Sequence, residues 1–344
     1  MNPVAEDPES SPVSAMEARP TTFPLNVPFK LIGFSDQSNA EATAHAVAEV
    51  MRIIGEHLDL SGLDGVTIGH DYDEALASVD RGVQGLRPLS RTNSDAIVGV
   101  AMAPVVLRDG VLKTHLVVWA PLVEGLLGDE AVATRQAISL IAHECGHVAE
   151  HAHRDRLLPG HILRHRFSDQ EDILLFPAAE AVWEEYAACR HAAPFASEDT
   201  EESYREGLGS VLRRAREAAN DAIRSYRIHG DVDRVLLEAG NPIAEPLRLA
   251  AYLAGHLDGR GRDALEEMRG DLEADSRLAS RIVEAIEAVR SMWAEREQWS
   301  GLSVFDPLKA VFRAVYADHS MIFRRLPDGR IFVDTPFTSE TMPK

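Results

Sequence analysis

The segment HECGH at residues 143–147 combines two histidines and a glutamate in the pattern H-E-x-x-H. Apolar residues recur at three- and four-residue spacing from Ala131 to Arg154, which predicts a helix around the motif. Residues four apart lie on one face of a helix, so His143 and His147 can direct two imidazole nitrogens at one zinc ion. Glu144 stands beside them and can take the proton of a zinc-bound water that attacks a carbonyl. The motif therefore predicts zinc-dependent hydrolysis.

Chance is the alternative explanation of the motif. A random chain with 14 histidines in 344 residues would contain on the order of 0.05 such matches. In that case the two histidines would lie on a helix surface beside an incidental glutamate. The sequence alone leaves this alternative open.

The histidines that follow the motif do not complete a zinc site. A catalytic zinc ion needs three protein ligands and an open fourth position. His151 continues the four-residue spacing, but it lies two helical turns from His143, too far to share a compact site. The pattern with a third histidine after a glycine turn is absent. We therefore expect His151 and His153 to be solvated and the third ligand to come from elsewhere.

The best candidate for the third ligand is Glu185, in the segment WEEYAACR at residues 183–190. The spacing places Glu185 on one face of a predicted helix with Val182 and Cys189, and Glu184 on the opposite, polar face. A carboxylate on a buried face needs a cation or a metal to offset its desolvation. We therefore expect Glu185 to face the histidines and Glu184 to be solvated, with a solvated acidic pair as the alternative for both.

With these residues the chain resembles the zinc metallopeptidases of the gluzincin type, in which H-E-x-x-H is followed on a second helix by a glutamate ligand, often as E-x-x-A-D or E-x-x-A-N. It is most similar to the ImmA/IrrE-like peptidases of bacteria and their mobile elements. The similarity covers residues 64–192. It implies a zincin-like fold, with His143, His147 and Glu185 as zinc ligands and Glu144 as the general base.

Two further positions of the pattern can be compared. Ala188 occupies the small position of E-x-x-A, as the resemblance requires. Cys189 stands where the family usually has Asp or Asn. A thiol is a poor acceptor for a hydrogen bond from a zinc-bound histidine. That histidine must therefore be oriented by another group, or be held less firmly.

The elements that must position the motif begin with a helix predicted over 40–57, after an irregular segment at 21–36. Strands are predicted at 65–70, 97–107 and 111–120, the last two joined as an antiparallel hairpin by the turn at 108–110. In zincin-like folds the strand before the active-site helix lies at the edge of the cleft, so 111–120 is our candidate for pairing with an extended substrate peptide. The alternative is that this strand serves only the sheet. Pro177 is predicted to open the helix of Glu185, which runs to about Ala192.

The rest of the chain has a mostly helical pattern. Residues 201–299 predict three or four packed helices, with one long helical stretch over 263–297. A helix at 307–318 precedes a predicted β-hairpin of strands 321–326 and 330–337. The expected fold class is α+β: a disordered tail at 1–20, a zincin-like domain with a small, mainly antiparallel sheet at 21–195, a helical region at 200–300, and a helix with a terminal hairpin at 301–344.

Two smaller assignments concern the surroundings of the motif. Cys145 falls about 200° around the helix from His143 and should pack in the core. A hydrolase also needs a donor for the oxyanion besides zinc. The sequence offers five candidates without choosing among them: Tyr186, Tyr226, His229, His256 and His319.

Composition excludes several classes of protein. The chain has 55 acidic and 35 basic residues and a net charge of −20, the wrong sign for binding nucleic acid through its phosphates. No apolar run approaches the length of a membrane span. The acidic, Pro- and Ser-containing start at 1–20 is unlike a signal peptide, and two cysteines cannot form a disulfide framework, so we expect free thiols in the cytoplasm.

Three functions are compatible with these features. The first is a cytoplasmic zinc metallopeptidase that cuts a protein or peptide substrate. The second is a regulatory or interaction protein of zincin fold, whose metal site is structural or inactive and whose helical region binds a partner. The third is zinc-dependent hydrolysis of a bond other than a peptide, because the chemistry is not specific to peptides. The sequence does not indicate the oligomeric state.

Overall fold

A computed structural model of the chain describes residues 20–91, 98–274 and 276–342. The tail expected to be disordered lies outside these residues, except for Pro20. Within the described part, the chain forms a small sheet in its first half and a large helical assembly in its second. The predicted mixture of α and β elements is confirmed at this level. None of the helices in these ranges is both long enough and apolar enough to cross a membrane.

The sheet has five strands: β1 (Phe29–Ile32), β2 (Leu63–Gly69), β3 (Ala101–Met102), β4 (Val105–Arg108) and β5 (Val111–Trp119). The predicted hairpin is confirmed, since β4 pairs antiparallel with β5 through a turn at Asp109 and Gly110, both of which have positive φ. The sheet is nevertheless mixed and not mainly antiparallel, because β1, β2 and β5 run parallel. The 21–36 segment, expected to be irregular, supplies β1.

Strand β5 lies in the interior of the sheet. It pairs with β2 on one side and with β3 and β4 on the other, and the consecutive residues Leu116, Val117 and Val118 are all buried, as in a strand covered on both faces. The expectation that 111–120 forms the edge of the cleft is therefore wrong. The strand on that edge is β3, which comes before β5 in the chain and is too short to show a period in the sequence.

Eleven α-helices lie within the described ranges: α1 (Gln37–Ile54), α2 (Tyr72–Ala77), α3 (Ala120–Val123), α4 (Ala131–Leu157), α5 (Gln170–Ala192), α6 (Thr200–His229), α7 (Val232–Glu238), α8 (Gly240–Gly259), α9 (Ala264–Glu267), α10 (Ser276–Ala294) and α11 (Asp306–Asp318). The terminal hairpin consists of β6 (Ile322–Arg325) and β7 (Ile331–Asp334), paired antiparallel as predicted. The long helical stretch expected at 263–297 is instead divided into α9, a 3₁₀ turn and α10.

Helix α5 starts earlier than predicted. It begins at Gln170, and Pro177 lies inside it. The side chain of Asp169 caps the helix by accepting a hydrogen bond from the Glu171 amide at 2.7 Å. Ion pairs from Arg313 and Arg325 hold the acidic first turn. These tertiary contacts set the start of the helix, and the proline is accommodated within it.

The buried apolar side chains form two large clusters. One joins the sheet with α1 and one face of α4, and includes Cys145, in the core as predicted. The other joins α5, α6, α8, α10 and α11, with Trp183 fully buried inside it. Both cysteines are free and buried thiols. Because α4 also packs against α5, the joint between these two helices connects the two clusters.

The close contact between α4 and α5 requires a glycine. A Cβ at Gly146 would lie 2.6 Å from the carbonyl oxygen of Ala188, a separation that packed atoms do not adopt. The two backbones can therefore approach only because position 146 has no side chain and position 188 has a small one. This close approach brings the faces of His143, His147 and Glu185 together.

Candidate metal centre

Three side chains from α4 and α5 converge. The Nε2 atoms of His143 and His147 are 3.2 Å apart, and Oε2 of Glu185 lies 3.4 Å from the first and 3.5 Å from the second. A tetrahedral zinc ion with bonds of about 2.05 Å holds its ligand atoms about 3.3 Å from one another. Among the described residues, this is the only group of three or more His, Cys, Asp or Glu side chains close enough to share an ion.

The electrostatics of Glu185 are those of a buried anion beside two imidazoles. Burial opposes its charged form, but His143 and His147 hold the pKa of the carboxyl well below its ordinary value. Burial likewise opposes protonation of His147, yet Glu185 raises the pKa of that imidazole overall. Oε2 of Glu185 is buried and has no hydrogen-bond partner in the described part of the chain. A metal ion would satisfy this atom, so the donor set fits zinc.

Glu144 is placed beside the three ligand residues without joining them. Its side chain is only 4% exposed, it lines the same cavity as the two histidines, and its Oε2 has no hydrogen-bond partner among the described residues. Burial raises the pKa of the Glu144 carboxyl, and the two histidines partly offset this effect. The carboxyl can therefore accept and release a proton.

Residues of α5, α6 and α8 support the ring of His143. The Nδ1 atom of His143 lies 3.5 Å from Sγ of Cys189 on α5, and the Cys189 thiol donates a hydrogen bond to the hydroxyl of Tyr204 at 3.6 Å. The ring of Tyr252 stacks on His143, with 5.4 Å between centroids and 15° between planes. The sulfur of Cys189 thus lies beside Nδ1 of His143, and tyrosines from α6 and α8 contact the sulfur and the imidazole.

His143, His147 and Glu185 open into a cavity of about 880 Å³, within the range of small-molecule and substrate sites. Its walls come from α4, α5, the segment 98–105 and the helical region, which contributes Ser203, Tyr204, Arg248 and Tyr252. None of these four residues was predicted from the sequence. A signal was present for two of them, because Arg248 and Tyr252 stand four apart and therefore share one face of α8.

The five residues considered as oxyanion donors all lie elsewhere. All are described by the structure, and none lines the cavity. Tyr186, for example, is fully buried and donates to Asp258, and His319 binds the carbonyl oxygen of Val315. The cavity instead presents the phenols of Tyr204 and Tyr252.

The expectation that His151 and His153 are solvated is wrong. Their exposed fractions are 5% and 9%. The reason for His151 is that this turn of α4 is enclosed between the sheet and α5. Its Nδ1 lies 3.0 Å from Oγ1 of Thr114 on β5, and its Nε2 lies 3.4 Å from Oε1 of Glu184 on α5.

Glu184 is not a solvated residue either. Its carboxylate accepts a 2.5 Å hydrogen bond from Arg154, whose side chain is completely buried. Burial opposes ionisation of Glu184, but Arg154 and then His151 lower its pKa well below the ordinary value. Both faces of α5 therefore carry a partly buried carboxylate: Glu185 beside the two histidines and Glu184 in an ion pair.

Comparisons of the chain with protein-family models, with curated proteins and with solved structures gave no match.

Proposed function

We propose that this protein is a zinc-dependent metallopeptidase of zincin type that hydrolyses peptide bonds in an intracellular protein or peptide. In this proposal His143, His147 and Glu185 bind the zinc ion and Glu144 is the general base. The observation that carries it is the set of distances between the three ligand atoms, 3.2, 3.4 and 3.5 Å, which match the edges of a tetrahedral zinc site.

Zinc bound by these residues would lower the pKa of water and polarise the scissile carbonyl. Glu144 takes the proton from the water whose oxygen attacks the carbonyl carbon, and then delivers it to the leaving amine as the C–N bond breaks. Its burial suits both steps, because a raised carboxyl pKa makes the return of the proton easier. Tyr204 and Tyr252 are the phenols placed to donate to a developing oxyanion.

The edge of the sheet suits a peptide substrate. Strand β3 (Ala101–Met102) and the residues on either side of it line the cavity, and within the described ranges β3 pairs only with β5. An extended peptide could add to its outer edge and carry its scissile bond towards the ligand residues. This substrate edge replaces the one that the sequence predicted at 111–120.

The first test is the zinc content of the purified protein and of two variants, His147→Ala and Glu185→Ala. We expect about one zinc per chain in the wild type and a loss in both variants, because each removes one of three ligands. His45→Ala, which changes an exposed histidine of α1, is the matched control. Zinc retained by Glu185→Ala would contradict the ligand set.

Glu144→Gln separates the proposed peptidase from a regulatory or interaction protein with an inactive metal site. We expect the variant to keep its zinc and fold but to lose cleavage of a mixed peptide library by at least about a hundredfold. A biological function that survives Glu144→Gln would favour the interaction protein. Cleavage of ester but not peptide probes by the wild type would favour hydrolysis of another bond.

A further inference from the structure

Arg248, which forms no ion pair with the residues that the structure describes, lies on the wall of the cavity. Arg248 precedes Tyr252 by one turn of α8, and Tyr252 stacks on the ligand residue His143. Both side chains line the cavity. Arg248 and Tyr252 therefore lie on the same side of α8, about one helical turn (~6 Å of axial rise) apart.

Another arginine that lines the cavity has two acidic partners. Arg154 is completely buried and is paired with Glu180 and Glu184. Arg248 is half-buried, and its Nε atom is buried without a hydrogen-bond partner in the described part of the chain. A buried donor that has given up its water and gained no partner is costly. In a chain with 55 acidic and 35 basic residues, such an arginine is unusual.

The charge around the cavity indicates what the missing partner is. Glu144 and Asp199 line the same cavity and would repel an anionic substrate, and Arg248 is placed to offset that repulsion on one side. A guanidinium presents parallel N–H donors that match the two oxygens of a carboxylate, so this group is its natural ligand.

We propose that Arg248 binds a carboxylate of the substrate and makes the enzyme selective for peptides that carry one close to the scissile bond. The proposal rests on the peptidase function proposed above. The carboxylate has two possible sources, the C-terminus of the peptide or an acidic side chain, and both offer the same chemistry to Arg248.

Three thiol probes test this binding without catalysis. They are mercaptoacetyl-leucyl-alanine, the same compound as its C-terminal amide, and the amide with a glutamyl residue in place of leucyl. The thiolate anchors each probe to zinc. Dissociation constants are measured by calorimetry on the zinc-loaded wild type and on Arg248→Gln, Arg248→Lys and Arg213→Gln, the last changing an exposed arginine of α6.

We expect the wild type to bind a probe with a carboxylate at least about tenfold more tightly than the neutral amide. Preference for the free acid identifies the C-terminus as the source, and preference for the glutamyl amide identifies a side chain. The preference should disappear in Arg248→Gln and remain unchanged in Arg213→Gln. It should persist in part in Arg248→Lys, because lysine keeps the positive charge. The lysine variant also serves as the test if Arg248→Gln folds poorly.

The results that would overturn the proposal fall into two groups. Equal binding of the three probes to the wild type, or a preference that survives in Arg248→Gln, would remove Arg248 while leaving the peptidase function standing. Absence of zinc, or of thiol-dependent binding of any probe, would overturn the peptidase function and this proposal with it.

Discussion

Gly146 and Ala188 are in contact through their backbones, and this contact brings the ligand residues of two helices into one site. A Cβ at Gly146 would meet the Ala188 carbonyl oxygen at 2.6 Å. The glycine is the fourth residue of the H-E-x-x-H motif, at a position where the chemistry itself makes no demand. Its role is to let α4 and α5 approach closely enough for Glu185 to reach both histidines.

Gly146→Ala should therefore separate the helices. We expect a loss of about 1–3 kcal/mol of stability from overpacking, although alanine is the better helix former, together with a loss of bound zinc. Thermal unfolding and elemental analysis measure the two effects. Gly207→Ala on α6 is the control, because the nearest atom to its new Cβ would be Cδ1 of Leu249 at 3.7 Å, and it should be neutral or stabilising.

Cys189→Asp should bind zinc more tightly than the wild type. The carboxylate can accept from Nδ1 of His143 and from the Tyr204 hydroxyl, at the place where the sulfur now lies 3.5 and 3.6 Å from them. Such partners of a ligand histidine change metal affinity by about tenfold or more. Competition with a chromophoric chelator measures the affinity, and Cys189→Ala should weaken it. Equal affinities in all three proteins would show that the contact between residue 189 and Nδ1 of His143 does not influence zinc binding.

Glu184→Gln should destabilise the fold without removing the metal. The substitution leaves the fully buried Arg154 with one ion-pair partner fewer, which costs about 3 kcal/mol for a buried pair. Urea unfolding measures the loss, and zinc content should remain that of the wild type. Glu202→Gln, at an exposed position of α6, should unfold like the wild type. A large loss of zinc in Glu184→Gln would mean that Glu184 takes part in binding the metal.

Glu150 should make stability fall as pH rises. Burial raises the pKa of this carboxyl from the ordinary 4.5 to about 7, and Trp183 donates a 2.6 Å hydrogen bond to it. Between these two pH values the folded chain holds a proton that the unfolded chain has lost, so stability decreases from about pH 5 to pH 8. Glu150→Gln removes this titration and should be more stable than the wild type at pH 8 by about 3 kcal/mol.

The quantity to compare is the difference in stability between Glu150→Gln and the wild type at each pH, because other groups also titrate. Urea midpoints at pH 5 and pH 8, with chelator present in all samples, give that difference. Glu217→Gln, which changes an exposed residue of α6, should follow the wild type at both pH values. A Glu150→Gln advantage that is the same at both would contradict a raised pKa.

Local pattern was sufficient to predict α4, the hairpin of β4 and β5, and the inward face of Glu185. Helical period, a turn with Asp109 and Gly110, and the cost of burying a carboxylate are all properties of short segments. The structure brings Glu185 within 3.5 Å of both histidines.

What the sequence did not reveal depends on contacts between distant segments. His151 is buried only because Thr114 and Glu184 close over it, and no period within α4 expresses that enclosure. Tyr252 stacks on His143 and Tyr204 contacts Cys189 from helices that start well after the motif. Strands β1 and β3 have four and two residues, too few to show an alternation.

Helix α5 carries Glu185 on one side and packs with α8 on another, so it belongs both to the candidate metal centre and to the larger apolar core. An ion bound between α4 and α5 would link the half of the molecule that contains the sheet to the helical half. Its release would weaken the packing between the two halves. Linkage is reciprocal. Any partner that shifts α8 would therefore change the affinity for the ion, and loading of the ion would change how the helical half meets that partner.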